Sequence, residues 1–574
     1  MNKSALQIGL TIVLAGLVLV LIGSILILAG VPPVSRDALT HHLTVPKLYL
    51  KHGGIYEIPS LIFSYFPMNL DLLYIIPLYF GNDIIPKYIH FAFALFAAWL
   101  IFSYLKKRSD IHYGLAGVLF FLSLPIIVKL SITVYVDLGL VFFSTAALLN
   151  VFKWMESSFK FKYLIISSVF CGLALGTKYN GLVVLFLLTF FVAFVCSKKT
   201  RYPAALNETA HHRRPFSSPT GNALVYATAY MVIDLVIFSP WAIRNYLWTN
   251  NPIYPLYDSW FNTTGTGIDA DLHADFPDEV YEATNHSDRF NNPFVMRKVI
   301  YKESGWQILT LPIRVFFQGK DDSPKYFDGR LNPYLLLLPF FAFFPRKDGD
   351  RNIKSEKNIM LAFSVLFLLI VFSQRDLRIR YIAPIIPPLV ILSALGLQNM
   401  VQAIRSAKLW PAGRLWAGLA GVGLALLIGM NAVYVWEQFQ GIQPISYLSG
   451  RLERDAYIET YRPEYAAIQF ANRNLPDSAK IFCLFLGDRS YYSDKQMLFG
   501  DAYFKRIVKQ ANSAEQLALE LKKRNITHLL IRYEIFYHWS KHQFNNRDQA
   551  ILGYFWGRHA RLIFTKGGYG LYRF

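Results

Sequence analysis

The sequence predicts a polytopic α-helical membrane protein. It has about eleven transmembrane helices, a long first external loop with interfacial helices, and a small external α/β domain at the C-terminus. Three observations predict it. Hydrophobic residues make up 54% of the 574 residues and charged residues only 17%, where a soluble chain carries nearer ~25% charged. The apolar residues come in long blocks, as bilayer-spanning helices do. The basic clusters between the blocks fall on one side of the alternation, as Lys and Arg do in cytoplasmic loops.

Composition closes off other classes. Length alone would suggest roughly four soluble domains at ~150 residues each, but the apolar blocks argue against that division. A net charge of +20 would point to nucleic acid in a soluble protein. Here it reports topology, and no nucleic-acid partner is expected. Aromatics reach 16%, with 35 Tyr and 11 Trp, which suits side chains at the headgroup level against membrane lipids. Cys171, Cys196 and Cys483 form neither a disulfide framework nor a metal-ligand spacing.

The first apolar run, Ile8 to Gly30, is too long for a signal-peptide core and has no cleavage site. It reads as a retained helix with its N-terminus inside. Residues 31–83 form the long external loop, whose parts read as amphipathic segments at the interface. Within it Met68–Phe80 is short for a span and reads as interfacial or re-entrant. Spans then follow at Ile84–Leu105, Tyr113–Val128, Val136–Phe152, Tyr163–Gly176, Gly181–Cys196 and Ala223–Trp241. A polar external loop covers about 244–332. The last spans are Tyr334–Phe344, Met360–Phe372, Tyr381–Leu397 and Leu415–Val435. The clusters KKR, KFK, KKTR with HHRR, RKDGDR and RSAK all lie inside, which sends the C-terminus outside. The bundle therefore covers 1–440 and the external, periplasmic domain 450–574.

In that domain the apolar runs shrink to strand length, KIFCLFLG and ITHLLIR. Between them SAEQLALELKKRN reads as a helix with Ser513 as its cap and Glu515 in the first turn. Two strand-like pieces around Gly567-Gly568 end the chain.

Charges near a membrane are costly, so each is a functional candidate. Five lie at outer helix ends. Asp37, in VSRDALTHHL, is a general base, a metal-binding carboxylate or a helix N-cap. Asp137, in TVYVDLGLVFF, is a dipole partner or a buried carboxylate in need of a partner. Lys178, in the turn GLALGTKYNG, snorkels or contacts phosphate. Arg244, in PWAIRNYLWTNNPIYP, and Arg380, in RIRYIAPIIPPL, sit at lipid headgroups or bind a phosphate ester through two parallel hydrogen bonds. Together they give two carboxylates and three cations on one side of a bundle, a set suited to a lipid phosphate and a proton transfer.

These segments, DALTHHLTVPKLYLKHG, YVDLGLVFF, GLALGTKYNG, PWAIRNYLWTNNPIYP and RYIAPIIPPL, resemble the GT-C superfamily of integral-membrane glycosyltransferases. The similarity is to the phospholipid carrier-dependent branch, which includes protein O-mannosyltransferases and lipid A aminoarabinose transferases, and it covers about residues 1–440. The resemblance implies an enzyme of the cytoplasmic membrane. It would transfer a hexosyl or pentosyl group from a polyprenyl-phosphate donor to a lipid, glycan or protein acceptor at the outer face, with inversion. It implies Asp37 as the carboxylate that takes the acceptor's proton, and Asp137 as a second acidic position. It also implies Lys178, Arg244, Arg380 and His42 as substrate-binding residues. Where the mannosyl and aminoarabinose branches often carry an adjacent Asp-Glu pair, this chain has Asp37-Ala38, which weakens any metal site built on the pair. Oxygen ligands around Mg²⁺ or Mn²⁺ are compatible with the chain, yet the sequence contains no dedicated cage. The alternative is a transporter or flippase for a lipid-linked sugar. Transporters often show internal repeats and mid-membrane charges, and neither is visible here.

Overall fold

In the computed structural model the described residues are 3–199, 219–262, 293–344, 351–373, 377–406 and 412–574. The expected basic cluster KKTR with HHRR falls largely outside them, as does the middle of the external loop.

All eleven apolar segments form helices, but of unequal reach. Seven helices among the described residues are long and apolar enough to cross a membrane, or eight if one bent pair counts as a span. The chain is thus a multi-pass membrane protein. Helix α1 covers Lys3–Ala29. After it come α2 (Thr44–His52) and α3 (Asn69–Tyr79) in the first loop, then α4 (Ile85–Arg108). The segment expected at Tyr113–Val128 is broken. It forms α5 (Ile111–Ser123) and α6 (Pro125–Ser131), bent by 67°. Pro125 opens α6 and holds Leu124 in an extended conformation, which a helix cannot continue through.

Next come α7 (Asp137–Glu156), α8 (Phe161–Leu175), α9 (Gly181–Lys199) and α10 (Pro219–Thr249). Helix α10 runs past the expected end at Trp241, so Arg244 lies on a helix and not in the external loop. The aromatic residues beyond Trp241 prolong the apolar face, and the helix continues to Thr249. Tyr334–Phe341, with only 8 residues, is the shortest of the eleven. The helices Arg351–Phe372, Ile386–Ser406 and Ala412–Ile442 complete the bundle.

Two spans are interior. In α7 78% of the apolar window is buried inside the protein, and in Ile379–Ile404 89%. In α10 the figure is 22% and in Gly421–Ile442 11%, so those two face outward. The interior pair carries Asp137 and Arg380.

The C-terminal segment contains a five-stranded sheet in the order β2-β1-β3-β5-β4. The strands are β1 (Lys480–Leu484), β2 (Gln496–Phe499), β3 (His528–Arg532), β4 (Arg561–Lys566) and β5 (Tyr569–Arg573). The first three are parallel, and β5 runs antiparallel to β3 and β4. Side chains alternate across the sheet. Phe482, Leu484, Leu529 and Ile531 fill one core, and Ile481, Cys483 and Leu530 the other. The Ser513 hydroxyl caps the helix Ala514–Lys523 by accepting from the Gln516 N–H.

Candidate functional site

Asp37 follows the turn that leaves α1. A buried lysine on α4, Lys87, fixes this turn by donating to the carbonyls of Val31 (2.7 Å) and Pro32 (3.4 Å). Residues Ala38–His42 then form a π-helix. The Leu43 N–H reaches the Ala38 carbonyl at 2.9 Å, one residue further back than in an α-helix. Such turns are rare and collect at functional sites. This one sets Asp37, His41 and His42 close together. The Asp37 side chain makes no cap bond. Its carboxylate pairs with Arg380 Nη1 at 2.6 Å. Burial alone would push the Asp37 carboxyl up, but the Arg380 guanidinium outweighs it and holds it well below the usual carboxylate range.

Asp137 opens α7, and its backbone is anchored from α4. His90 Nε2 accepts the Leu138 N–H at 3.0 Å, so the proton sits on Nδ1, which donates to the carbonyls of Leu130 (2.9 Å) and Thr133 (3.0 Å). The Asp137 carboxylate is buried and takes Lys178 Nζ at 2.6 Å. Lys178 stands in the turn between α8 and α9, where the Gly181 N–H closes back on the Lys178 carbonyl at 2.8 Å. The two ion pairs meet at one ring. Lys178 Nζ lies 5.0 Å and the Arg380 guanidinium 5.3 Å from the centre of Tyr381. Tyr135 flanks Arg380 at 5.0 Å. Asp37, Asp137, Lys178 and Arg380 therefore form one cluster drawn from four separate stretches of chain.

Arg244 does not join it. It lies in an aromatic box, 4.6 Å from the Trp241 ring and 4.9 Å from Trp248. It donates to the carbonyls of Tyr65 (2.7 Å) and Phe66 (3.2 Å) and to Asn245. Asn245 in turn donates to the Tyr179 hydroxyl at 3.1 Å, next door to Lys178. His42 turns to α3, where its Nδ1 meets Asp71 at 2.7 Å in a buried pair.

Several side chains emerge only in the fold. His41 stacks on Phe63 at 4.3 Å, and burial keeps its imidazole well below the ordinary histidine range, hence neutral. Its place four residues after Asp37 was the available signal. Tyr135 and Tyr381 each stand one or two residues from a charge already singled out. Asn69 and Asp71 lie in a short apolar segment that gives them no sequence signal. Asn69 accepts from the Trp241 indole at 2.8 Å, and its N–H donates to the Gly176 carbonyl at 3.0 Å, tying α3 to the Lys178 turn.

The cluster and the neighbouring Arg244 box are incompletely satisfied. Asp137 Oδ2, Arg380 Nε, Arg244 Nη1, His41 Nδ1 and the Tyr49 hydroxyl are buried and have no hydrogen-bond partner in the described chain. Burial pushes the Tyr49 phenol up to about 12, so it stays a donor. A buried polar group left unpaired costs about 1–3 kcal/mol. Such atoms are donors and acceptors available to a polar ligand.

A divalent cation fits this donor set poorly. Each carboxylate already faces a cation of the chain, and among the described residues no three His, Cys, Asp or Glu side chains converge.

The helical bundle belongs to a known architectural class: the chain shares the fold of GT-C membrane glycosyltransferases. The family model described as dolichyl-phosphate-mannose-protein mannosyltransferase matches residues 75–206. The structure is similar to that of ArnT from Cupriavidus metallidurans bound to undecaprenyl phosphate. The TM-score is 0.53 at 14% identity, covering 98% of each chain. It is also similar to the oligosaccharyltransferase AglB from Archaeoglobus fulgidus, solved with an inhibitory peptide and a dolichol-phosphate. There the TM-score is 0.51 at 12% identity, covering 91% of this chain and 70% of that one. A structure of the Archaeoglobus fulgidus oligosaccharyltransferase with Zn and sulfate gives 0.50 at 12% identity, covering 90% and 68%. No curated protein sequence matches the chain.

Proposed function

We propose that the protein transfers a sugar from a polyprenyl-phosphate donor to an acceptor at the outer face of the cytoplasmic membrane, with inversion and with Asp37 as general base. The observation that carries this reading is the Asp37–Arg380 and Asp137–Lys178 cluster, with its unpartnered Arg380 Nε and Asp137 Oδ2. Residues 1–440 form the catalytic bundle and 450–574 the external domain. ArnT, which shares the fold, has been solved with a polyprenyl phosphate.

The acceptor oxygen attacks the anomeric carbon from the face opposite the phosphate. The new C–O bond forms as the bond from carbon to phosphate oxygen breaks, and the phosphate leaves with the electron pair. The acceptor's proton passes to Asp37. Arg380 couples the two events. Nη1 holds Asp37 while Nε is free to donate to a phosphate oxygen, since one guanidinium carries five N–H donors. As charge grows on the departing phosphate, the guanidinium is drawn toward it. Its hold on Asp37 weakens, and the carboxylate becomes more basic when the proton arrives. Lys178 adds positive charge beside the same phosphate while neutralising Asp137. Arg244, set in its aromatic box, supplies Nη1 at the edge of the donor site. His42, oriented by Asp71, lines the acceptor side.

The Archaeoglobus fulgidus oligosaccharyltransferase has been solved in complex with Zn and sulfate. In this chain Arg380 and Lys178 supply the positive charge beside the carboxylates, and no step is assigned to a metal.

Two measurements test the reading. Mass analysis of envelope glycans and glycolipids after gene deletion should show a missing sugar, naming donor and acceptor together. Purified protein in liposomes should form a glycosidic bond. Movement of a lipid-linked sugar across the bilayer without transfer would overturn the proposal in favour of a flippase.

A further inference from the structure

The π-turn that carries Asp37 leaves one backbone group without its helical partner. In an α-helix the Leu39 carbonyl would accept from Leu43, but that N–H is spent on Ala38. The Leu39 carbonyl is instead met by the Thr44 hydroxyl at 2.7 Å and by two N–H groups from the C-terminal segment, Ser490 at 3.2 Å and Tyr491 at 3.1 Å. The same segment is gripped from the other side. Lys47, one turn further along the first loop, donates to the carbonyls of Tyr491 and Ser493, both at 2.9 Å, and to Asp494 at 3.0 Å. The Tyr491 side chain packs with Ala38, Leu43, Tyr74 and Val136, the apolar surround of the turn.

The gripping segment links β1 to β2. Parallel strands are usually joined through a helix; here the connection is irregular and held by the first loop. It is also strained. Phe485 and Asp488 adopt left-handed backbone at φ 63° and 59°, beside Gly487 at 67°. Non-glycine residues in that region are strained and persist only where surrounding contacts enforce them. Two further bonds fix the approach to Asp37. The Tyr492 hydroxyl donates to the Pro33 carbonyl at 2.8 Å and Arg462 Nε to the Val34 carbonyl at 2.5 Å.

We infer that the C-terminal segment Gly487–Asp494 holds the π-turn in the geometry that aims Asp37, with Lys47 and Tyr491 as its positioning residues. The inference rests on the proposed transfer reaction. The external region thereby acts on the chemistry without contributing a group to it. A turn of this kind has an α-helical alternative, in which Leu43 bonds Leu39 and Asp37 shifts relative to Arg380. Backbone donors from residues 490 and 491 occupy the Leu39 carbonyl and close off that alternative.

The test uses the full chain in lipid nanodiscs and Lys47→Met, Tyr491→Ala and Lys47→Arg. Amide hydrogen exchange across residues 38–44 should rise at least tenfold in the first two, with α4 unchanged. Undecaprenyl phosphate should bind within twofold of wild type. Sugar transfer in a complemented deletion strain, at matched membrane levels, should fall by ten- to a hundredfold. Lys47→Arg should restore most of both losses. Unchanged exchange at 38–44 would overturn the inference, as would faster exchange with transfer within twofold of wild type. A wild-type protein that transfers no sugar would overturn the proposed function instead, and the exchange result would then decide alone whether the segment holds the turn.

Discussion

Two sets of cations stand close together in the bundle, and they are built differently. Lys178 and Arg380 each pair with a buried carboxylate and share one aromatic ring. Arg244 has no carboxylate among its described partners and is wedged between two tryptophans, with its guanidinium on backbone carbonyls. The first set engages the interior spans, Lys178 through its partner Asp137 and Arg380 directly, and Arg244 sits on an outward-facing helix. A carboxylate partner can be exchanged for a phosphate, because one anion replaces another. Backbone carbonyls and indole faces stay put. The paired cluster is therefore suited to change during a reaction, and the box to hold one group at a constant angle.

The largest effect should come from Asp37→Asn. Loss of the base should lower transfer by about 10²–10⁴-fold. The same change releases Arg380, so undecaprenyl phosphate should bind more tightly. Weaker lipid binding in this variant would show that Arg380 does not bridge carboxylate and phosphate.

Lys178→Met strands the Asp137 carboxylate in the interior. Breaking one side of a buried pair costs about 3–5 kcal/mol, and thermal unfolding in detergent should show that loss. Arg244→Ala should cost less, about 2–3 kcal/mol, from two lost cation–π contacts and its charged hydrogen bonds. If Arg244→Ala destabilised more than Lys178→Met, the contrast between exchangeable and fixed cations would fail.

The smallest effects are in pH. The folded Asp37 carboxyl is held below its unfolded value, so the pair's contribution is complete above about pH 4. It is lost only as pH falls through the folded value. The acid limb of kcat/KM, which reports free enzyme, should therefore lie below the acid limb of kcat. In the donor complex Arg380 is shared with phosphate and Asp37 is less stabilised. Coincident limbs would remove the coupling. His41 has a depressed folded value too. Its contribution to stability is full above about pH 6.5 and declines as pH falls, because the unfolded chain takes up the proton first. His41→Asn should flatten stability between pH 6.5 and 5.

Much of this was legible in the sequence. Every apolar block forms a helix, because each is long in residues that cannot leave their backbone unsatisfied in lipid. Four of the five C-terminal strands follow the expected pieces, β2 at Gln496–Phe499 being unforeseen, and the Ser513 cap is where the pattern places it. What failed was extent. Helix α10 outruns its apolar core, and the third block, Tyr113–Val128, breaks at Pro125. Among the site residues, the sequence supplied the charges and their common face. It gave no means of seeing that Asp37 would choose Arg380 and Asp137 Lys178, or that Arg244 would stand apart.

By itself the sequence determined the chemistry available: two carboxylates and three cations near helix ends, in a chain whose apolar blocks place them in a membrane. Local patterning suffices for that, since hydropathy and charge act residue by residue. Tertiary structure alone decided the pairings, the unpartnered atoms and the grip of residues 487–494 on the π-turn. Those depend on contacts between residues hundreds of positions apart, such as Asp37 with Arg380 and Leu39 with Ser490. Only packing brings such groups within hydrogen-bonding distance.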